Sequence, residues 1–161
     1  MILDEVSALA AYRSLILHDV DADAELPDGL LSRTAVVRAR GLHLVLNAAQ
    51  DQTPVAVTLE TSETAPAPLG QGWEAERVVR LQISTGEVLL EQPTISALGP
   101  WQVGAPGRYF VRVAWQGRDA VRERLQTLQE ASVDGTIDDE TRWQEVARLA
   151  GTERYHVTLW R

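Results

Sequence analysis

The chain has 161 residues, 45% of them apolar and 24% charged, which is an ordinary globular composition rather than that of a disordered chain. It has no cysteine, a formal net charge of −8, and 15 basic residues that are all arginine. Disulfide scaffolds, P-loops and lysine Schiff-base catalysis are therefore excluded.

The length fits one domain, 1–161, able to bury a core without cross-links. No apolar run approaches the roughly 18 residues of a membrane span. The opening Met1-Ile2-Leu3-Asp4-Glu5 is acidic, unlike a secretory leader, so a cytoplasmic protein without membrane contact is expected. Arginine without lysine, and a lone asparagine at Asn47, match a G+C-rich bacterial genome.

In chain order, residues 11–20 fit two patterns. Ile2, Val6, Leu9, Arg13 and Ile16 make a helical stripe, whereas Tyr12–Leu17 read as a strand ending at His18-Asp19. The strand is the reading adopted. A strand follows near Thr34–Ala39, then Leu42, Leu44 and Leu46 alternate with polar or smaller neighbours, and Val55, Val57 and Leu59 repeat the pattern. Ser62–Gly72, with Pro66, Pro68, Gly70 and Gly72, is a loop near the upper end of ordinary connection lengths.

From Trp73 a longer row forms: Trp73, Ala75, Arg77, Val79, Leu81 and Ile83 share one face. Thr85-Gly86 reads as a hairpin tip, Val88 and Leu90 as the returning strand, and Pro93 as its stop. Gly99-Pro100-Trp101 reads as a loop. Tyr109, Val111, Val113 and Trp115 line the next strand, and Tyr155, Val157 and Leu159 the last.

Between those two strands the period changes to three and four. Val121, Leu125 and Leu128, then Trp143, Val146, Ala147 and Ala150, predict a helical hairpin over 119–151. Asp138 or Asp139 caps its second helix and Gly151 ends it. The predicted fold is mainly β: a sandwich of about 7–8 antiparallel strands, with the helical hairpin inserted before the last strand. The five tryptophans are expected to supply much of its core, with Trp101 and Trp160 as the less buried ones.

Candidate chemistry is sparse. Asp19, Asp21 and Asp23 stand at the first, third and fifth places of a calcium-loop spacing. Ala24 occupies the place of the required glycine, however, and Leu30 that of the bidentate glutamate. They are weak metal candidates, and no metal or cofactor is expected. His18, His43 and His156 lack ligand spacing and read as strand or strand-end residues, with His43 and His156 facing solvent. No Gly-x-Ser-x-Gly elbow occurs. Glu74, Glu76, Glu87 and Glu91 would meet across a hairpin, which allows paired-carboxylate chemistry but better fits a solvated sheet face.

The charge has a direction. Residues 1–30 hold Asp4, Glu5, Asp19, Asp21, Asp23, Glu25 and Asp28 against Arg13 alone. Such a chain repels nucleic-acid phosphates and suits a basic protein partner.

Three segments carry a family pattern: Gly107-Arg108-Tyr109-Phe110-Val111-Arg112-Val113, then Gln116-Gly117-Arg118-Asp119, then Glu153-Arg154-Tyr155-His156-Val157-Thr158-Leu159-Trp160. With the early His18-Asp19 they resemble a group of small uncharacterised bacterial β-sandwich proteins. That group is distantly similar to the inhibitor of the competence DNA-entry nuclease. The proline that follows the terminal tryptophan in the group is absent, Arg161 standing there, and 119–151 is longer than the pattern requires.

The resemblance implies a non-enzymatic, inhibitor-type module. Physically, Arg118 would pair with Asp119 at the strand-to-helix turn, or Asp119 would cap the helix while Arg118 meets Glu153. The expected partner-binding residues are Asp21, Asp23, Glu25, Trp101, Arg118 and Trp160. A small-ligand or carbohydrate site on Trp101 or Trp160 is the alternative.

Overall fold

The computed structural model describes residues 1–23 and 25–161, so the glycine-replacing Ala24 of the calcium-like spacing lies outside the described residues. Among the described residues, ten strands form two five-stranded sheets pressed face to face. Sheet A contains β1 (Ile2–Ala8), β5 (Val55–Thr61), β6 (Ala75–Ile83), β9 (Gly107–Gln116) and β10 (Arg154–Trp160), in the order β1-β5-β10-β9-β6. Sheet B contains β2 (Ser14–Asp19), β3 (Val37–Arg40), β4 (His43–Asn47), β7 (Glu87–Gln92) and β8 (Ser96–Gln102), in the order β3-β4-β2-β7-β8.

The alternating rows meet between the sheets. Leu15 and Leu17 of β2, Leu44 and Leu46 of β4, Val57 and Leu59 of β5, Leu81 and Ile83 of β6, and Val111 and Val113 of β9 belong to one buried cluster. Period-two patterning places each row on the inner face of its strand.

The mainly β sandwich with a helical hairpin before the last strand is the observed fold, with four corrections. First, the count is ten rather than seven or eight, because β1 and β8 are edge strands whose patterns are poor. β1 carries a register shift between Ile2 and Asp4, and β8 contains Gly99-Pro100, which an edge tolerates since no inner neighbour needs the missing amide. Second, the sheets are not wholly antiparallel: β10 pairs parallel to β5.

Third, Thr85-Gly86 is not a hairpin tip within one sheet. It carries the chain from β6 in sheet A to β7 in sheet B. Gly86 has φ +86°, and a Cβ there would lie 2.2 Å from the Gly104 carbonyl oxygen. The turn therefore needs glycine for both conformation and space. Because β6 and β7 lie in different sheets, Glu74 and Glu76 do not face Glu87 and Glu91 across a hairpin.

Fourth, tryptophans are not the bulk of the core. Trp143 is 56% exposed, with the Arg142 guanidinium 5.0 Å from its ring centre. Trp73, Trp101 and Trp115 are half-buried; Trp160 is buried.

Residues 11–19 take the strand reading: a single 3-10 turn at Ala11–Arg13 precedes β2. The helices α1 (Arg118–Val133) and α2 (Asp139–Ala147) occupy the predicted insertion, and the Asp138 side chain accepts from the Thr141 amide as α2's cap. The buried apolar stripe is narrow, Val121, Leu128 and Val146, and Arg118 at the start of α1 is buried as well.

The long loop after β5 has a topological cause. β5 and β6 are separated in sheet A by β10 and β9, so residues 62–74 must cross the sheet's outer face. Arg112, buried on that face, donates to the Ala67 carbonyl at 2.5 Å and ties the crossing down. No helix among the described residues is long and apolar enough to cross a membrane.

Candidate functional site

Residues that carry the family pattern converge inside the molecule. Gly117, between β9 and α1, lies in the left-handed region, φ +78°, and a Cβ there would lie 2.1 Å from the Thr152 carbonyl oxygen. This tight approach of the α1 start to the segment before β10 places Arg118 beside Glu153. One Arg118 nitrogen donates to Glu153 Oε1 at 3.2 Å, to the Tyr155 hydroxyl at 2.6 Å, and to the Asn47 carbonyl.

Glu153 Oε1 also accepts from the Tyr155 hydroxyl at 2.6 Å and from the Ala49 amide at 2.8 Å. Glu153 and Tyr155 are 1% exposed and Arg118 9%, so the ion pair is desolvated. Burial, and then the adjacent Glu153 charge, push the Tyr155 hydroxyl well above its ordinary pKa, so it stays protonated and donates. Three elements are joined: α1, the end of β4, and β10.

Of the two pairings expected for Arg118, the one with Glu153 forms. Asp119 lies on the surface instead, 3.2 Å from Arg122, and does not cap α1, whose preceding residue is glycine. Arg118 is thus turned inward and largely buried.

Asp19 is a second internal clamp. It is fully buried, and its carboxylate accepts from the Ser84 amide at 2.6 Å, the Thr85 amide at 2.9 Å, the Thr85 hydroxyl at 3.0 Å and the Asp21 amide at 3.0 Å. Burial raises its pKa, but the hydrogen bonds from Thr85, Asp21 and Ser84 outweigh burial and hold it below the ordinary carboxylate value. This carboxylate fastens the β6–β7 crossover to the end of β2. Its oxygens are committed to donors, which separates Asp19 from Asp21 and Asp23. Among the described residues no three potential ligands cluster as a metal would need.

Beyond Asp19 the chain passes over the outer face of sheet B before β3. Leu30 is buried and Leu26 half-buried against Ile16 and Val45, forming a small satellite core. Beneath it lies His43, buried rather than solvent-facing, its Nε2 2.9 Å from the Asp23 carbonyl. His43 also stacks on His18, ring centres 5.8 Å apart. His156 is likewise covered, half-buried between Glu60 and Trp73. Both histidines do lie on outer faces; connecting segments lie over them, which strand periodicity cannot reveal.

With Leu26 and Leu30 turned in, Asp21, Asp23, Glu25 and Asp28 are all exposed. The two expected tryptophan contacts sit differently. Trp101 is half-buried and donates from Nε1 to Asp4 at 3.0 Å, linking β8 to β1 across the sandwich edge. Trp160 stacks on Phe110 at 5.6 Å.

A feature missed in the sequence is a basic seam at the opposite edge of the sandwich. Arg38 and Arg40 of β3 and Arg77 of β6 line one cleft, and Arg80 and Arg108 line its neighbour. These residues are scattered along the chain, and only the facing edges of the two sheets bring them together.

No protein-family model and no curated protein sequence matches the chain. Two solved structures share its fold along nearly the whole length. One is ComJ from Bacillus subtilis, described as the inhibitor of the DNA-degrading activity of NucA, with TM-score 0.62 and 9% identity over 99% of this chain and 96% of that one. The other is the crocagin biosynthetic gene J product, with TM-score 0.56 and 14% identity over the same shares, 99% and 96%. The chain is therefore distantly similar in structure to a nuclease inhibitor, as the family pattern implied.

Proposed function

We propose that the chain is a non-enzymatic protein-binding module of inhibitor type, acting on a basic partner such as a nuclease or toxin. The observation that carries the reading is the anchored loop after β2, where Leu26 and Leu30 turn inward and Asp21, Asp23 and Glu25 face solvent. Exposed carboxylates of one sign steer a basic groove toward the loop and accelerate docking. The fold shared with ComJ supports the same reading, since that protein is described as an inhibitor of a nuclease. Trp101, Arg118 and Trp160 hold the frame, and Asp21, Asp23 and Glu25 meet the partner.

The test is kinetic. Purified chain is mixed with a candidate basic nuclease or toxin, and association rate and residual activity are followed against salt. Changing Asp21 and Asp23 to asparagine and Glu25 to glutamine is expected to slow association about tenfold at low salt, with the difference shrinking as salt rises. Equal rates for both forms would remove the acidic loop from the mechanism.

A further inference from the structure

We propose that the open edge of β6 is a docking strand for an extended, acidic segment of a partner protein, received along β6 beside the cleft it shares with β3. β6 is an edge of sheet A and β3 an edge of sheet B. The Gln82 amide donates to the Gly41 carbonyl at 2.9 Å and so points away from β9. The β6–β9 register runs unbroken from Ala75 to Ile83, so by the period of two the amides of Arg80, Val78 and Glu76 point to that same open side. Gln82 is already paired, but among the described residues the amides of Glu76, Val78 and Arg80 form no backbone bond on that side, and such an open edge is a template for one more strand.

The side chains along this edge specify what would pair with it. The cleft between the two edges has an apolar floor, with Val37, Ala39 and Val79 in its lining, and Arg38, Arg40 and Arg77 around them. Arg80 and Arg108 continue the charge along the adjoining cleft. Among the described residues, none of Arg40, Arg77, Arg80 and Arg108 forms an ion pair, and Asp28 is the carboxylate that lines the first cleft.

So many unpaired guanidinium groups in a chain of net charge −8 form a local site for carboxylates, which arginine binds bidentately. A segment alternating acidic and apolar residues would place its backbone on β6, its apolar side chains on the floor and its carboxylates on the arginines. Val78, 50% exposed on the outer face of β6, offers that strand a further apolar contact. Nucleic acid would use the arginines but not the free backbone edge.

The experiment uses the full chain and a fluorescent peptide of alternating glutamate and valine, read by anisotropy. Three controls accompany it: the same peptide N-methylated at alternate amides, its lysine-for-glutamate version, and an oligothymidylate of matching charge. The expected result is saturable binding of the acidic peptide, weakened about tenfold or more by N-methylation and by Arg77→Ser with Arg80→Ser, with little binding of the lysine peptide or the oligonucleotide. Amide shifts confined to Glu76, Val78 and Arg80 in a labelled sample would place the peptide without any protein variant.

Equal binding of the methylated peptide and the oligonucleotide would reduce the seam to a sink for negative charge and overturn the proposal. So would a wild-type chain that ignores the peptide while the arginine variant self-associates, because the arginines would then only guard the edge. Self-association of the wild-type chain that the peptide cannot displace would assign the edge to a second copy and likewise overturn it.

Discussion

The Arg118–Glu153–Tyr155 node and the loop after β2 both depend on carboxylates, yet they sit at opposite extremes of solvation. At the node, one glutamate is removed from water and holds an arginine, a phenol and a backbone amide. On the loop, Asp21, Asp23 and Glu25 stay in water while leucines do the anchoring. Several of the residues that made the chain resemble a family, Arg118, Glu153 and Tyr155 among them, are those that hold the frame together. The exposed acidic loop has no pattern of its own.

Breaking the node should have the largest effect. Removing one partner from a buried ion pair leaves an uncompensated charge, so Arg118→Ala or Glu153→Ala should each cost about 3–5 kcal/mol in urea denaturation. Replacing both with apolar residues of similar volume should recover much of that loss. A pair of single variants that each lose under about 1 kcal/mol would mean that the node is solvated, and the contrast with the loop would collapse.

Asp19→Ala follows, at about 2–3 kcal/mol, because the Ser84 and Thr85 amides lose their acceptor. The same residue gives a pH signature. Its pKa is lower folded than unfolded, so its ionised form stabilises the fold above the ordinary carboxylate range. That contribution fades as pH falls through the lowered value. The stability difference between wild type and Asp19→Asn should therefore be widest near neutral pH and shrink in acid; a difference that is constant with pH would contradict the clamp.

Leu30→Ala should cost about 1.5–2 kcal/mol by uncovering Ile16 and Val45, and should also erase the rate advantage of the acidic loop. The smallest effect sharpens the comparison most. Neutralising Asp21, Asp23 and Glu25 should move stability by no more than about 0.5 kcal/mol while slowing association, the reverse of the node's behaviour. A thermal shift beyond that bound would make the loop a structural element.

Strand rhythm made most of the sandwich legible, because inner rows such as Leu44–Leu46 and Val111–Val113 bury every second residue. The edges were not legible. β1 mixes Leu3, Asp4 and Glu5 with half-buried positions, and β8 carries a proline that would exclude a central strand. The parallel β5–β10 pair was hidden as well, since partner choice between distant strands leaves no local trace.

For the candidate site, the Arg118–Glu153 pair could be named from types and positions, but its burial depends on how closely Gly117 approaches Thr152. The acidic loop was visible as charge density, whereas its anchors Leu26 and Leu30 looked like ordinary loop leucines. The arginine seam was invisible, because Arg38 and Arg77 become neighbours only where β3 and β6 face each other.

The placement of β10 has a kinetic consequence. It lies in the middle of sheet A, between β5 and β9, although it follows every other strand in the chain. Until it arrives, that sheet exists as two separate halves, β1 with β5 and β9 with β6, each offering a raw edge to the gap. Closing the gap requires contacts of long sequence separation, which slows folding and leaves a half-assembled species prone to sticking to its own kind. Refolding at increasing protein concentration should lose yield at this step, before the final strand seals the sheet.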